Sequence, residues 1–133
     1  MIVKLEQLNK IAKDLMKELE GNTFVLLNGD LGAGKTTFTK QLIKELGVTE
    51  NVTSPSFNIL NQYKTSNYVI NHMDAYRLKK TDEIDMFLET FEGAINIIEW
   101  PNNLGIDFSK YGKVIEINIL VIDEYNRDFK IKK

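Results

Sequence analysis

The run Gly29-Asp30-Leu31-Gly32-Ala33-Gly34-Lys35-Thr36 limits what this chain can be more than any other feature. It satisfies the pattern GxxxxGK[ST] in full. Before it stands Thr23 to Leu27, a short apolar run rich in β-formers and suited to a buried strand. After it comes a helical pattern from Lys35 to Leu46, closed by Gly47. A random chain of this length would match the motif about once in 200, and the flanking strand and helix reduce that further. A glycine-rich turn capping an ordinary helix would explain neither Lys35 nor Thr36. The order strand, glycine-rich loop, helix predicts a nucleotide site. Glycines let the backbone turn tightly and aim successive N–H groups at phosphate oxygens, and the helix adds its N-terminal amides and dipole. Lys35 would reach the β- and γ-phosphates, and the Thr36 hydroxyl would ligate Mg²⁺.

Such a loop needs a carboxylate near the metal, at the end of a buried strand. Two positions qualify. Ala94 to Ile98 is a mostly apolar strand candidate ending in Glu99, with Trp100 and Pro101 next, and Tyr68 to Met73 ends in Asp74. Each would lift its acid to the C-terminal edge of the sheet, where the glycine-rich loop also sits. His72 is the single histidine and reads as a structural hydrogen-bonder rather than a ligand. Trp100 reads as partly buried packing that could also stack beside a nucleotide.

The remaining elements mix α and β around one sheet. Apolar residues at helical spacing predict a helix over 5–20, stopped by Gly21 and Asn22. Residues 48–56 are turn-like. Phe57–Lys64 and Tyr68–Asp74 form a hairpin around Thr65-Ser66-Asn67, and Thr81 caps a helix over 82–91. Residues 101–112 are loop with a short helical turn, and Lys113–Asp123 pairs with Arg127–Ile131 around Glu124-Tyr125-Asn126. The expected fold class is α/β: residues 1–133 form a single phosphate-loop NTPase-like domain, three-layered, with a mixed central sheet and β-hairpins. Cysteine is absent, which removes disulfides and thiolate metal sites. No signal-peptide pattern and no run of about 18 apolar residues occurs, so a soluble cytoplasmic protein without membrane association is expected. The net charge of −2 speaks against a direct nucleic-acid binder, which usually carries a basic patch.

Taken together, four ordered segments resemble the TsaE (YjeE/YdiB-type) family, the ATPase component of bacterial tRNA threonylcarbamoyladenosine synthesis. They are Leu27 to Phe38, Val52-Thr53-Ser54-Pro55-Ser56-Phe57, His72-Met73-Asp74-Ala75-Tyr76-Arg77-Leu78 and Ile98-Glu99-Trp100-Pro101. The resemblance runs from about residue 5 to 101. It implies that Leu31, Gly32, Ala33, Gly34, Lys35 and Thr36 wrap the triphosphate of ATP, bounded by Asp30 and Thr37. Thr36 and Glu99 would hold Mg²⁺, and Asp74 would serve turnover through water or metal positioning. Thr53, Ser54, Pro55 and Ser56 match a switch-like loop responsive to the γ-phosphate, and Tyr76, Arg77 and Trp100 could line the site. Departures from the family pattern are Ser56 in place of threonine, Ala75 in place of a larger apolar residue, an 82–91 helix without its expected glycine, and a short C-terminal end.

The implied activity is Mg-assisted attack of water on the γ-phosphate of ATP, with Lys35, Asp74 and Glu99 carrying it. The resemblance ties turnover to two partners of TsaB and TsaD type, so that tRNA is served indirectly. Three alternatives remain open at this point. A nucleoside or nucleotide kinase would need an arginine-bearing lid, yet the chain has only Arg77 and Arg127. A GTP switch should show an Asn/Thr-Lys-x-Asp motif, which is absent. A sensing module that binds ATP without hydrolysing it is compatible with the sequence.

Overall fold

The computed structural model describes residues 1–133 apart from Leu31, 56–58 and 80–84. The expectations for Leu31, Ser56 and Phe57, the Thr81 cap and the start of the 82–91 helix lie outside the described residues. Among the described residues, seven strands form one sheet in the order β1-β7-β6-β2-β5-β4-β3. They are β1 Ile2–Lys4, β2 Thr23–Asn28, β3 Leu60–Lys64, β4 Val69–Asp74, β5 Ile95–Glu99, β6 Lys113–Val121 and β7 Asn126–Lys132. The central four, β6-β2-β5-β4, run parallel, whereas β3, β7 and β1 pair antiparallel at the two sides. The sheet is mixed and carries both expected hairpins.

The helices α1 Leu8–Met16, α2 Lys35–Glu45 and α3 Asp85–Phe91 flank the sheet. Leu8, Ile11, Ala12 and Leu15 recur on one side of α1 and are all buried, as one amphipathic face requires. They pack with Phe38, Leu42 and Ile43 of α2 on the sheet face formed by Val25, Leu27, Ile97, Ile115 and Ile117. Each such side chain contributes roughly 1.5–3 kcal/mol when fully buried. On the opposite face Phe24, Leu26, Met73 and Ile98 meet Phe91 of α3 and the 3₁₀-turn residues Leu104 and Phe108. Strands β2 and β5 are covered on both sides, which is why both read as nearly continuous apolar runs.

The first helix is shorter than its periodicity suggests. Leu5–Gln7 is a 3₁₀ turn, because the Leu5 amide donates to Tyr125 O at 3.2 Å and Gln7 Oε1 accepts from Lys4 N at 2.9 Å. At its far end Glu18 N bonds Leu15 O and Leu19 N bonds Met16 O, tighter spacings that unwind the last turn. Strand β1 was not anticipated. Its three residues carry no local signal, and their pairing with β7 is set by a segment more than 120 residues away. Residues 101–112 contain two 3₁₀ turns, Pro101–Leu104 and Phe108–Lys110, instead of one.

A row of amides crosses the sheet beneath α3. Gln62 donates to Asn71 Oδ1 at 2.9 Å and Asn71 donates to Asn96 Oδ1 at 2.8 Å. The same Asn71 amide reaches Thr90 O, and Asn96 reaches Phe91 O and Ala94 O. Two fully buried asparagines thus satisfy each other and the last carbonyls of α3. At the same N-terminal end of β2 and β5, Asn22, at φ 60°, joins three segments. Its carbonyl accepts from Lys113 N at 2.9 Å and its side chain accepts from Gly93 N at 2.7 Å. A Cβ at Gly112 would lie 2.0 Å from Asn22 O. Gly112→Ala is therefore expected to lower stability by about 3 kcal/mol, measured as a shifted urea midpoint at unchanged m-value.

Candidate functional site

The loop after β2 and the first turn of α2 bend over the C-terminal ends of β2, β5 and β4. Gly34 stands at φ 103° as the N-cap of α2, and Gly32 at φ 80°, conformations open to glycine and costly for other residues. The first turn of a helix leaves amides without intrahelical acceptors, and here those of Lys35, Thr36 and Thr37 border a cleft. That cleft is about 270 Å³ and is lined by Asp30, Gly32, Ala33, Gly34, Lys35, Thr36, Thr37, Asp74, Tyr76, Glu99 and Trp100. Larger hollows lie elsewhere, about 450 Å³ beside α1 and about 540 Å³ beside α3. The chemistry-bearing residues gather in the smaller one.

Register explains how the acids arrive there. Leu27 on β2 pairs with Glu99 on β5, and Glu99 pairs with Asp74 on β4. Parallel strands in this register bring both carboxylates to one edge. Thr36 Oγ1 donates to Glu99 Oε1 at 3.0 Å, with Oε2 at 3.3 Å. Glu99 is only 3% exposed and has a second partner, His72 Nε2, at 2.6 Å from Oε2. Asp74 lines the cleft, and its Oδ1 accepts from Tyr76 N at 3.0 Å.

Lys35 is 5% exposed and folds back onto its own loop, donating to the carbonyls of Gly29 and Asp30. Its ammonium also lies 4.0 Å from the centre of the Trp100 ring, a cation–π contact. Burial pulls its pKa below the ordinary lysine value, partly opposed by the charges of Glu99, Asp30 and Asp74. Trp100 adopts φ 59° and ψ 49°, an unusual backbone for a bulky residue, and its ring meets Tyr76 at 5.1 Å. The pairing of Trp100 and Tyr76 forms one wall of the cleft.

Most of the expected site residues converge here, but not all. Arg77 is exposed and does not line the cleft. Thr53, Ser54 and Pro55 do not line it either: the Thr53 amide donates to Tyr63 Oη at 3.2 Å and its carbonyl accepts from Asn61 at 3.3 Å, both on β3. The motifs alone pointed to neither the contact of His72 with Glu99 nor Arg127. Arg127 is 8% exposed on β7 and its Nε donates to Ala33 O at 3.0 Å.

Mg²⁺ fits the residues present. Thr36 and Glu99 offer hard oxygen donors side by side, and among the described residues no group of three or more metal-binding side chains occurs. A magnesium ion held through one or two protein oxygens, phosphates and water asks for no more.

The His72–Glu99 contact generates a thermodynamic expectation. His72→Leu leaves a buried carboxylate with the Thr36 hydroxyl alone and should cost about 2 kcal/mol or more at neutral pH. Adding Glu99→Gln should recover part of that loss, a coupling that a double-mutant cycle of urea unfolding would measure.

Comparison with known proteins agrees with the geometry. Residues 2–129 match the family described as threonylcarbamoyl adenosine biosynthesis protein TsaE. The chain is 46% identical to a Rickettsia felis protein named tRNA threonylcarbamoyladenosine biosynthesis protein TsaE, over 92% of this chain and 72% of that protein. It is 38% identical to the Bacillus subtilis protein of the same name, over 75% of this chain and 64% of that one. A crystal structure of Bacillus subtilis YdiB superposes with a TM-score of 0.74 at 27% identity, covering 98% of this chain and 83% of the other. The fold, the ordered motifs and the match along nearly the whole chain place it in the TsaE family of tRNA threonylcarbamoyladenosine biosynthesis.

Proposed function

We propose that the chain binds ATP with Mg²⁺ and hydrolyses the γ-phosphate, gated by TsaB- and TsaD-type proteins that carry threonylcarbamoyl transfer to tRNA. The observation that carries this reading is the convergence of Lys35, Thr36, Asp74 and Glu99 in one cleft at the sheet's C-terminal edge. Family membership supports the pathway, and the acidic balance of the chain favours contact with proteins over direct contact with tRNA.

Each residue has a task that follows from its position. Amides of the glycine-rich loop and the first turn of α2 donate to phosphate oxygens. Lys35 exchanges the carbonyls of Gly29 and Asp30 for the β- and γ-phosphates, which are stronger acceptors for a buried cation. Thr36 and Glu99 would hold Mg²⁺, whose charge, when it is bound, offsets that of the β- and γ-oxygens. His72 keeps the Glu99 carboxylate turned toward Thr36. Asp74, fixed through Tyr76 N, orients the attacking water with its other oxygen. Trp100 and Tyr76 shield one side of the cleft from solvent.

A kinase reading loses its arginines. Arg127 is committed to backbone carbonyls beneath the loop, so no lid with several arginines can be assembled from this chain.

Phosphate release from ATP should be weak for the chain alone and rise when TsaB- and TsaD-type partners are added. Lys35→Ala should abolish it. Asp74→Asn should lower it about hundredfold while ATP affinity changes little. If ATP binds but no phosphate is released with or without partners, the chain is a sensing module and hydrolysis is wrong.

A further inference from the structure

Arg127 is the one buried guanidinium among the described residues, yet it forms no ion pair with them. It spends its donors on backbone. Nε bonds Ala33 O at 3.0 Å, and one terminal nitrogen bonds Asp123 O at 2.6 Å and Asn126 O at 3.0 Å, with Glu124 O at 3.5 Å. The Asp123 and Glu124 carbonyls belong to the β6–β7 turn and Asn126 opens β7; this turn is itself braced. The Asp123 carboxylate accepts from Tyr125 N and from both the backbone and the side-chain amide of Asn126. Tyr125 O in turn accepts from Leu5 N at 3.2 Å. Arg127 therefore joins the phosphate-binding loop to a turn that cannot easily give way.

The bond to Ala33 matters because of peptide planarity. In a trans peptide the C=O of one residue and the N–H of the next point in opposite directions. With the Ala33 carbonyl held on Arg127, the Gly34 N–H must face away from Arg127. Gly34 and Ala33 both border the cleft, and Arg127 does not. Gly34 is also the N-cap of α2 at φ 103°, a conformation in which the glycine backbone could otherwise rotate freely.

We propose that Arg127 is a positioning residue for phosphate binding: its guanidinium fixes the Ala33–Gly34 peptide so that the Gly34 N–H stays aimed into the cleft. The inference rests on the nucleotide-binding reading above. Arg127 touches no substrate and acts only through the loop. Preorganised donors bind an anion without first being ordered, so the effect belongs to affinity.

Two substitutions of the full chain separate donor from charge. Arg127→Met keeps the stem but offers nothing to Ala33 O. Arg127→Gln places an uncharged amide nitrogen near the position of Nε. Binding of MgADP is measured by calorimetry, with urea unfolding to confirm that each variant is folded under the same conditions. Arg127→Met should weaken MgADP binding about tenfold or more, the effect of losing one charge-assisted bond, and Arg127→Gln should restore it to within about threefold of the parent. The ¹⁵N-amide resonance of Gly34 should move in the Met variant and return in the Gln variant, which a role in stability alone would not produce. Met binding as tightly as the parent, or folded Gln binding as weakly as Met, overturns the proposal. If Met does not fold, the Gln affinity and Gly34 resonance decide alone. A parent chain that fails to bind MgADP defeats the nucleotide reading itself, a distinct outcome.

Discussion

Parallel, in-register pairing of β2, β5 and β4 is the constraint on which the site depends. Leu27, Glu99 and Asp74 occupy successive positions across the three strands, so the loop that follows Leu27 and Asn28 starts beside two carboxylates. A shift of one residue would turn Glu99 to the opposite face and put an apolar side chain in its place. Such a shift is resisted from both faces. Val25 and Leu27 lie under α1 and α2, while Phe24 and Leu26 lie under α3 and the 3₁₀ turns. The hydrophobic core therefore performs the alignment, and the polar residues inherit it.

Burial then sharpens the electrostatics. Lys35 and Glu99 are both nearly inaccessible, and each is held by neighbours of suitable polarity. The lysine has two carbonyls and an indole face; the glutamate has a hydroxyl and an imidazole. None of these partners matches a phosphate or a metal ion in strength. The arrangement gives each of these buried groups polar or aromatic partners from the chain itself.

The sequence made some of this legible and hid the rest for identifiable reasons. The glycine-rich loop, β2 and α2 were readable because local spacing, apolar pattern and Gly47 all agree there. Glu99 and Asp74 were readable because both end apolar runs. The hairpins were readable from alternation around polar turns. Strand β1 was not, since Ile2–Lys4 becomes a strand only through its distant partner β7. The contact between His72 and Glu99 needs the register of β4 against β5, which no periodicity fixes. Arg127 did leave a trace: it shares its side of β7 with Phe129, which is buried, and an arginine in such a position signals a buried cation. Its partner Ala33 lies 94 positions earlier, beyond any spacing rule.

Arg77 and the 53–55 segment, singled out by motif order, lie outside the lining of the cleft. Arg77 follows Tyr76, which lines the cleft, yet is itself exposed, and Thr53 is bonded to Tyr63 and Asn61 on β3. Thr53 is anchored to the edge strand β3, outside the parallel core that carries the acids. An edge strand has a neighbour on one side only, so β3 is less constrained than the strands inside the sheet. The parallel core fixes where the glycine-rich loop, Glu99 and Asp74 meet, and the flanking strands are where that arrangement can be joined to something else. Arg127 makes such a junction on the β7 side, running from a braced surface turn to the loop itself.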